Sequence, residues 1–165
     1  MTSVTIRAAR REDVPDLMRL IRGLAEYEKL RHKAVATEDD YRTAFFGPSP
    51  SAHALLAEAG DGALIGIAVY YYTFNTFAGR RSIFLEDLFV ELAHRGAGVG
   101  LALLRHLARQ AVAENCVRID WWVLNWNEPS IAFYERIGAT RMTDWQVRQL
   151  EGQALMALAE GARNG

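Results

Sequence analysis

The apolar positions of this chain change period several times, and each change marks a predicted element. Thr2 to Ala8 alternate as a first strand, and Arg10 to Asp13 then offer polar residues suited to a helix entry. Val14, Leu17, Met18, Ile21, Leu24 and Ala25 recur at steps of three and four, which predicts one face of a helix running to about Lys29. Thr37-Glu38-Asp39-Asp40 is a capped start for a second helix through Phe46, and Gly47-Pro48-Ser49-Pro50-Ser51 ends it. Residues 52–58, 64–73 and 83–90 are apolar or aromatic runs separated by Gly60-Asp61-Gly62 and by a bend over residues 75–80, which predicts an antiparallel meander.

The helical period returns with Leu103, Leu104, Leu107, Ala108, Ala111 and Val112, and residues 117–124 read as another strand. Asn127 caps a short helix through Ile137, with Pro129 in its first turn and Gly138 at its end. Residues 145–150 are expected to form a last strand, and the tail 161–165 is expected to be frayed. The order of elements predicts an α/β protein, a central mixed and mostly antiparallel sheet with helices on both faces. No repeat or linker divides the chain, so residues 1–160 are read as a single domain.

Composition narrows the class without changing that picture. The chain has 165 residues, half of them hydrophobic and about a quarter charged, enough for one sizeable core. A formal net charge of -1 and the lack of any basic run argue against nucleic acid as a partner. The first residues lack the apolar core of a secretory signal, and no stretch approaches the roughly 18 apolar residues of a membrane span, so a cytoplasmic protein without membrane association is expected. The single cysteine, Cys116, is read as a small buried hydrophobe.

The most informative stretch is Arg95-Gly96-Ala97-Gly98-Val99-Gly100, which lies between an apolar strand and a helix. Three glycines there leave backbone N–H groups bare at the positive end of a helix dipole, a ready site for phosphate or diphosphate. The spacing is not the G-x-G-x-x-G of a dinucleotide fold. Leu101 and Ala102 follow the last glycine where a nucleotide-triphosphate loop needs Lys and Ser or Thr.

R-x-x-G-x-G resembles the diphosphate loop of the GNAT superfamily of N-acetyltransferases. Around it stand Leu85-Glu86-Asp87-Leu88-Phe89-Val90 before the loop, and Trp126-Asn127-Glu128-Pro129-Ser130 and Ala132-Phe133-Tyr134-Glu135 after the next strand. With Ala25-Glu26-Tyr27-Glu28 and Gly138-Ala139, these resemble the spermidine/spermine acetyltransferase branch, which includes diamine and thialysine acetyltransferases. The resemblance implies the GNAT fold, acetyl-CoA as co-substrate with no metal, a homodimer, and an amine acceptor.

The chemistry of acyl transfer gives the matching residues their roles. A lysine-like amine has a pKa near ~10.4, so only about one molecule in 10³ is neutral at pH 7, and a base or water path must take its proton. Glu86 matches the glutamate assigned to this task through ordered water; a structural carboxylate paired with Arg80 or Arg81 is the alternative. Tyr134 matches the proton donor to the leaving sulfur, with a core aromatic beside Phe133 as the alternative. Leu88, Phe89 and Val90 match the strand whose freed backbone meets the pantetheine arm, and an amide at Val90 or nearby would face the developing oxyanion. Arg95, Gly96, Ala97, Gly98, Val99, Gly100 and Leu101 match the diphosphate loop, with Arg95 contacting the diphosphate or remaining a solvated charge. Asn127, Glu128, Pro129 and Ser130 match a further coenzyme contact, although Asn127 could simply cap its helix.

For the acceptor, Glu28 and Asp87 match positions associated with polyamine binding, and Asp87 could instead form a turn or interface ion pair. Asn75-Thr76-Phe77 stands where that branch has Asp-Pro-Trp, and Thr143-Asp144 before Trp145 reduces an acidic pair. These departures make spermidine a doubtful best substrate, and the N-terminal helix Leu20-Ile21-Arg22-Gly23-Leu24-Ala25-Glu26-Tyr27-Glu28-Lys29-Leu30 resembles the thialysine-acetylating branch more closely. Asn75, Phe77 and Trp145 complete the expected substrate set. Two other readings stay open, a transferase for an antibiotic, protein lysine or N-terminus, and a non-catalytic acyl-CoA-binding module.

Overall fold

The computed structural model describes residues 4–161. Its sheet has the order β1-β2-β3-β4-β5, built from β1 (Thr5–Ala8), β2 (His53–Glu58), β3 (Leu64–Asn75), β4 (Arg80–Val90) and β5 (Ile119–Trp121). The first four strands are antiparallel, and β5 joins β4 in parallel. The expected mixed, mostly antiparallel sheet is therefore present. Thr2, Ser3 and residues 162–165 of the expected tail lie outside the described residues.

Alternation along β3 assigns its two faces. Ile67 and Val69 belong to the buried cluster formed with Leu17, Leu20 and Leu24 of α1 (Val14–Tyr27) and Phe45 of α2 (Glu38–Phe46). A Cβ on Gly66 would lie 3.4 Å from Leu103 of α3 (Val99–Ala113), and the Tyr70 hydroxyl bonds to Gln110 of the same helix. Helices thus cover both faces. Burying each of the α1 leucines contributes roughly 1.5–3 kcal/mol, and the polar residues of the opposite face keep the helix edge wet. Thr37 and Asp40 form the reciprocal capping box that starts α2.

Two compact units follow one another along the chain, Met1–Trp122 and Val123–Gly165. The second holds α4 (Glu128–Arg136) and α5 (Gly152–Ala159). Asn127 caps α4, Pro129 sits in its first turn, and Gly138 leaves it with φ +86°.

Four expectations need correction. The strand read at 117–124 is limited to Ile119–Trp121, because its register with β4 ends at Leu85↔Trp121 and the Leu124 carbonyl already accepts the Asn127 N–H at 2.9 Å. Residues 145–150 form no strand and are all exposed; their alternation has no ladder to join, and the helix α5 follows instead. Ala108 and Val112 face solvent, since the helix turns them away from the buried row Leu103, Leu104, Leu107 and Ala111. Cys116 is half-buried, outside the core, beyond the end of α3. Among the described residues no helix is long and apolar enough to cross a membrane.

Candidate active site

A register break in β4 decides where its carboxylates go. Asp87 pairs with Val69 of β3, whereas Leu85 pairs with Tyr70, so Glu86 is an extra residue and the strand bulges there. In a regular strand Glu86 and Asp87 would point to opposite faces, and Leu85 and Asp87 to the same one. The bulge resets that parity. Leu85 stays with Tyr70 on the α3 side, while Asp87 shares the α1/α2 side with Val69 and Phe89. A Cβ on Gly23 would meet the Phe89 ring at 3.0 Å, so any larger residue there would press on that ring where α1 crosses the strand.

The outcome is a concentration of negative charge. Burial pushes the Asp87 carboxyl up to about 7, and the charges of Glu86 and Glu28 push it in the same direction. Burial also raises the pKa of Glu28, which follows the last residue of α1. Tyr41 of α2 lies close enough for burial, then the charge of Asp87, to hold its hydroxyl above the ordinary value, with Arg22 acting in the opposite direction. The arginines proposed as structural partners of Glu86 are engaged elsewhere, Arg80 with Asn115 at 2.6 Å and Arg81 with Glu114 at 3.3 Å. Tyr41 and Arg22 were not expected at this site. Nothing in the one-dimensional pattern marks a residue of α2 as a neighbour of β4.

Below the bulge, β4 offers backbone rather than side chains. Its pairing with β5 ends at Leu85, and it continues to Val90 with that edge uncovered by β5. The Glu91 N–H donates to Ile65 of β3, so alternation turns the N–H and C=O of Leu88 and Val90 toward the free edge. The loop then turns through Gly96 (φ +77°) and Gly98 (φ +83°), left-handed conformations that suit glycine, into α3. The first bond inside the helix runs from the Ala102 N–H to the Gly98 carbonyl, leaving the Val99, Gly100 and Leu101 amides at the helix start as an anion cradle. Arg95 folds back on the strand: its Nε donates to the Val90 carbonyl at 2.9 Å, and its guanidinium lies 4.4 Å from the Tyr27 ring centre and 5.5 Å from that of Phe89.

The remaining expected residues lie on other elements. Asn75 Oδ1 accepts the Ala78 N–H at 2.8 Å and shapes the β3–β4 turn, where Phe77 is fully exposed. Asn75 lies six residues along β3 from Val69, the partner of Asp87, which is roughly 20 Å of strand. Asn127, Glu128, Pro129, Ser130, Tyr134 and Trp145 belong to the second unit. There the buried Asn127 accepts the Ser130 N–H through Oδ1 at 3.4 Å, Tyr134 is half-buried with its ring 5.4 Å from Phe133, and Trp145 is exposed. Among the described residues no group of three or more His, Cys, Asp and Glu side chains is arranged to hold a metal ion.

Comparison with known proteins gives this arrangement a context. Residues 16–139 match the Acetyltransferase (GNAT) family. The chain is 36% identical to the thialysine N-epsilon-acetyltransferase of Mus musculus over 96% of its own length and 99% of that protein. It is 31% identical to the human spermidine/spermine N(1)-acetyltransferase-like protein 1 over 93% of its length, covering 23% of that longer protein. Among solved structures, an integron cassette protein from the mobile metagenome of V. cholerae superposes with a TM-score of 0.81 at 30% identity, covering 96% of this chain and 98% of that one. The chain belongs to the GNAT acetyltransferase family, in the branch that resembles spermidine/spermine acetyltransferase, and has the GNAT fold.

Proposed function

We propose that this N-acetyltransferase of the GNAT family moves the acetyl group of acetyl-CoA to a primary amine of a small cationic metabolite, a diamine, a polyamine or a lysine analogue such as thialysine. The observation that carries the proposal is the grouping of Glu28, Glu86 and Asp87 at the β4 bulge, where burial and then like charge hold Asp87 far above an ordinary carboxyl. Such a site is relieved by a cation. The similarity to thialysine acetyltransferase over nearly the whole chain supports the same acceptor class.

Acetyl-CoA, when bound, supplies the acyl group as an activated thioester. The residues that fit it are the bare amides of Val99, Gly100 and Leu101 at the start of α3, with Gly96, Ala97 and Gly98 of the loop before them, for its diphosphate, and the outward backbone of Leu88 and Val90, beside Phe89, for its arm. The Val90 N–H is also suited to a developing oxyanion, since a backbone donor brings no charge-burial cost. Arg95 serves this site by fixing the loop it opens. Glu86, at the bulge, takes the proton of the acceptor amine through water, while Glu28 and Asp87 hold its positive charge. Tyr134 gives a proton to the leaving sulfur, and Asn127 with Glu128, Pro129 and Ser130 completes the coenzyme contact. Asn75, Phe77 and Trp145 contribute to the acceptor side in a homodimer that forms through the segment from Trp145. In this reading residues 1–160 act as one cytoplasmic domain.

The test is release of free coenzyme A with putrescine, spermidine, thialysine, lysine and a histone-like peptide. Turnover fastest with a small cationic amine is expected. No turnover on any small amine overturns the proposal, and turnover on the peptide alone replaces the acceptor class.

A further inference from the structure

Three aromatic rings stand in a row beside the carboxylates. Tyr71 and Phe84 face each other across β3 and β4, stacked with centres 5.3 Å apart and planes at 29°. Trp122, just past β5, meets Phe84 edge-on at 5.2 Å and 79°. Tyr71 follows Val69 by two positions on β3, so the row lies on the α1/α2 side, the same face as Asp87. The Val69 and Tyr71 pairing positions are about 7 Å apart along that strand. Burial, then the charge of Glu86, holds the Tyr71 hydroxyl above its ordinary value.

These rings are not consumed by the core. The buried cluster under α1 and α2 includes Val69 and Phe89 but none of the three, and Trp122 is 69% exposed. A partly exposed apolar row beside carboxylates matches a ligand that is charged at its ends and hydrocarbon between them. Carboxylates bind charge without measuring length, because an ammonium group is the same on a short or a long chain. Ring faces measure length, since each methylene laid on them leaves water, and they also attract an ammonium group that overshoots.

We propose that Tyr71, Phe84 and Trp122 form the subsite for the hydrocarbon spacer of the amine acceptor, with Glu28 and Asp87 holding the ammonium charge and Glu86 left to deprotonate the amine that is acetylated. This rests on the acetyltransferase reading above and adds to it the determinant of chain length. Phe84 and Trp122 are specificity residues that act mainly on KM.

The experiment measures initial rates with saturating acetyl-CoA on α,ω-diamines of two to six carbons. For the native sequence kcat/KM is expected to rise about fourfold per methylene over the middle of the series. Phe84→Ala and Trp122→Ala each flatten that slope through KM, and Phe84→Tyr and Trp122→Phe restore it. Thermal melts of each variant establish folding; if Phe84→Ala fails to fold, the exposed Trp122 carries the test. Turnover with a slope that is absent in the native enzyme, or unchanged in Trp122→Ala, overturns the aromatic subsite and leaves the transferase reading standing. Absence of turnover on every diamine and every other small amine overturns both.

Discussion

Replacing Asp87 by Asn tests the central electrostatic claim without requiring any substrate. In the unfolded chain this carboxyl titrates near 3.8, and in the fold it is pushed up to about 7, chiefly by burial and then by Glu86 and Glu28. The sign follows from proton counting. Between about pH 4 and 7 the native state holds a proton that the unfolded state has lost, so raising the pH through this window favours unfolding. Below it both states are protonated and the site costs nothing. Above it the penalty is complete, about three pH units or roughly 4 kcal/mol at its ceiling. Asn keeps the shape and removes the charge, but its amide still gives up part of its hydration, so a gain of about 2 kcal/mol at pH 8 is expected. For a chain of this size that is a rise in Tm of roughly 4–8 °C, shrinking to nothing near pH 4. Paired melts of native and Asp87→Asn protein at pH 4, 5.5 and 8 measure it. Glu28→Gln should capture part of the same gain and be less than additive with Asp87→Asn, because the two share one repulsion. An Asp87→Asn protein no more stable at pH 8, or a difference that does not grow with pH, would refute the crowded-carboxylate description.

Gly98→Ala places a side chain at φ +83°; a loss of about 1–2 kcal/mol is expected, with weaker coenzyme A binding by titration calorimetry, and unchanged affinity would remove the loop from the site. Arg95→Gln loses the ring contacts and the Val90 bond for about 1–2 kcal/mol of stability. Its loss of coenzyme affinity should be nearly independent of salt if Arg95 braces the loop, whereas a steep salt dependence would instead assign it a direct diphosphate contact. Tyr134→Phe is expected to bind coenzyme A normally and lose about 10²-fold or more in kcat; full activity would withdraw the assigned acid.

The elements legible in the sequence were those whose stabilisation is local. The three-and-four spacing of α1, the capping box at Thr37 and Asp40, and Asn127 ahead of Pro129 all appear where they were read, because each rests on contacts within a few residues. The loop at Gly96 and Gly98 is of the same kind, a conformation that glycine permits and other residues resist. Strand expectations failed where the partner was missing. Residues 145–150 alternate as a strand would, but alternation supplies no ladder, while the Ala, Leu and Met run of α5 just after them is strong helix former and could have been read as such.

The course of Arg95 and the facing of Asp87 were beyond the one-dimensional pattern for a different reason. A period-two pattern fixes which side chains share a face only while the register is unbroken, and one extra residue at Glu86 inverts every assignment after it. That inversion is what the site depends on. Without it Asp87 would lie with Leu85 under α3, away from Glu28 and Tyr41, and the outward amides of β4 would belong to different residues. Two strands of identical composition, one regular and one bulged, would therefore present different chemistry from the same letters. The carboxylate pair Glu86-Asp87 names the reagents, and the bulge between β3 and β4 decides which face of the sheet receives them.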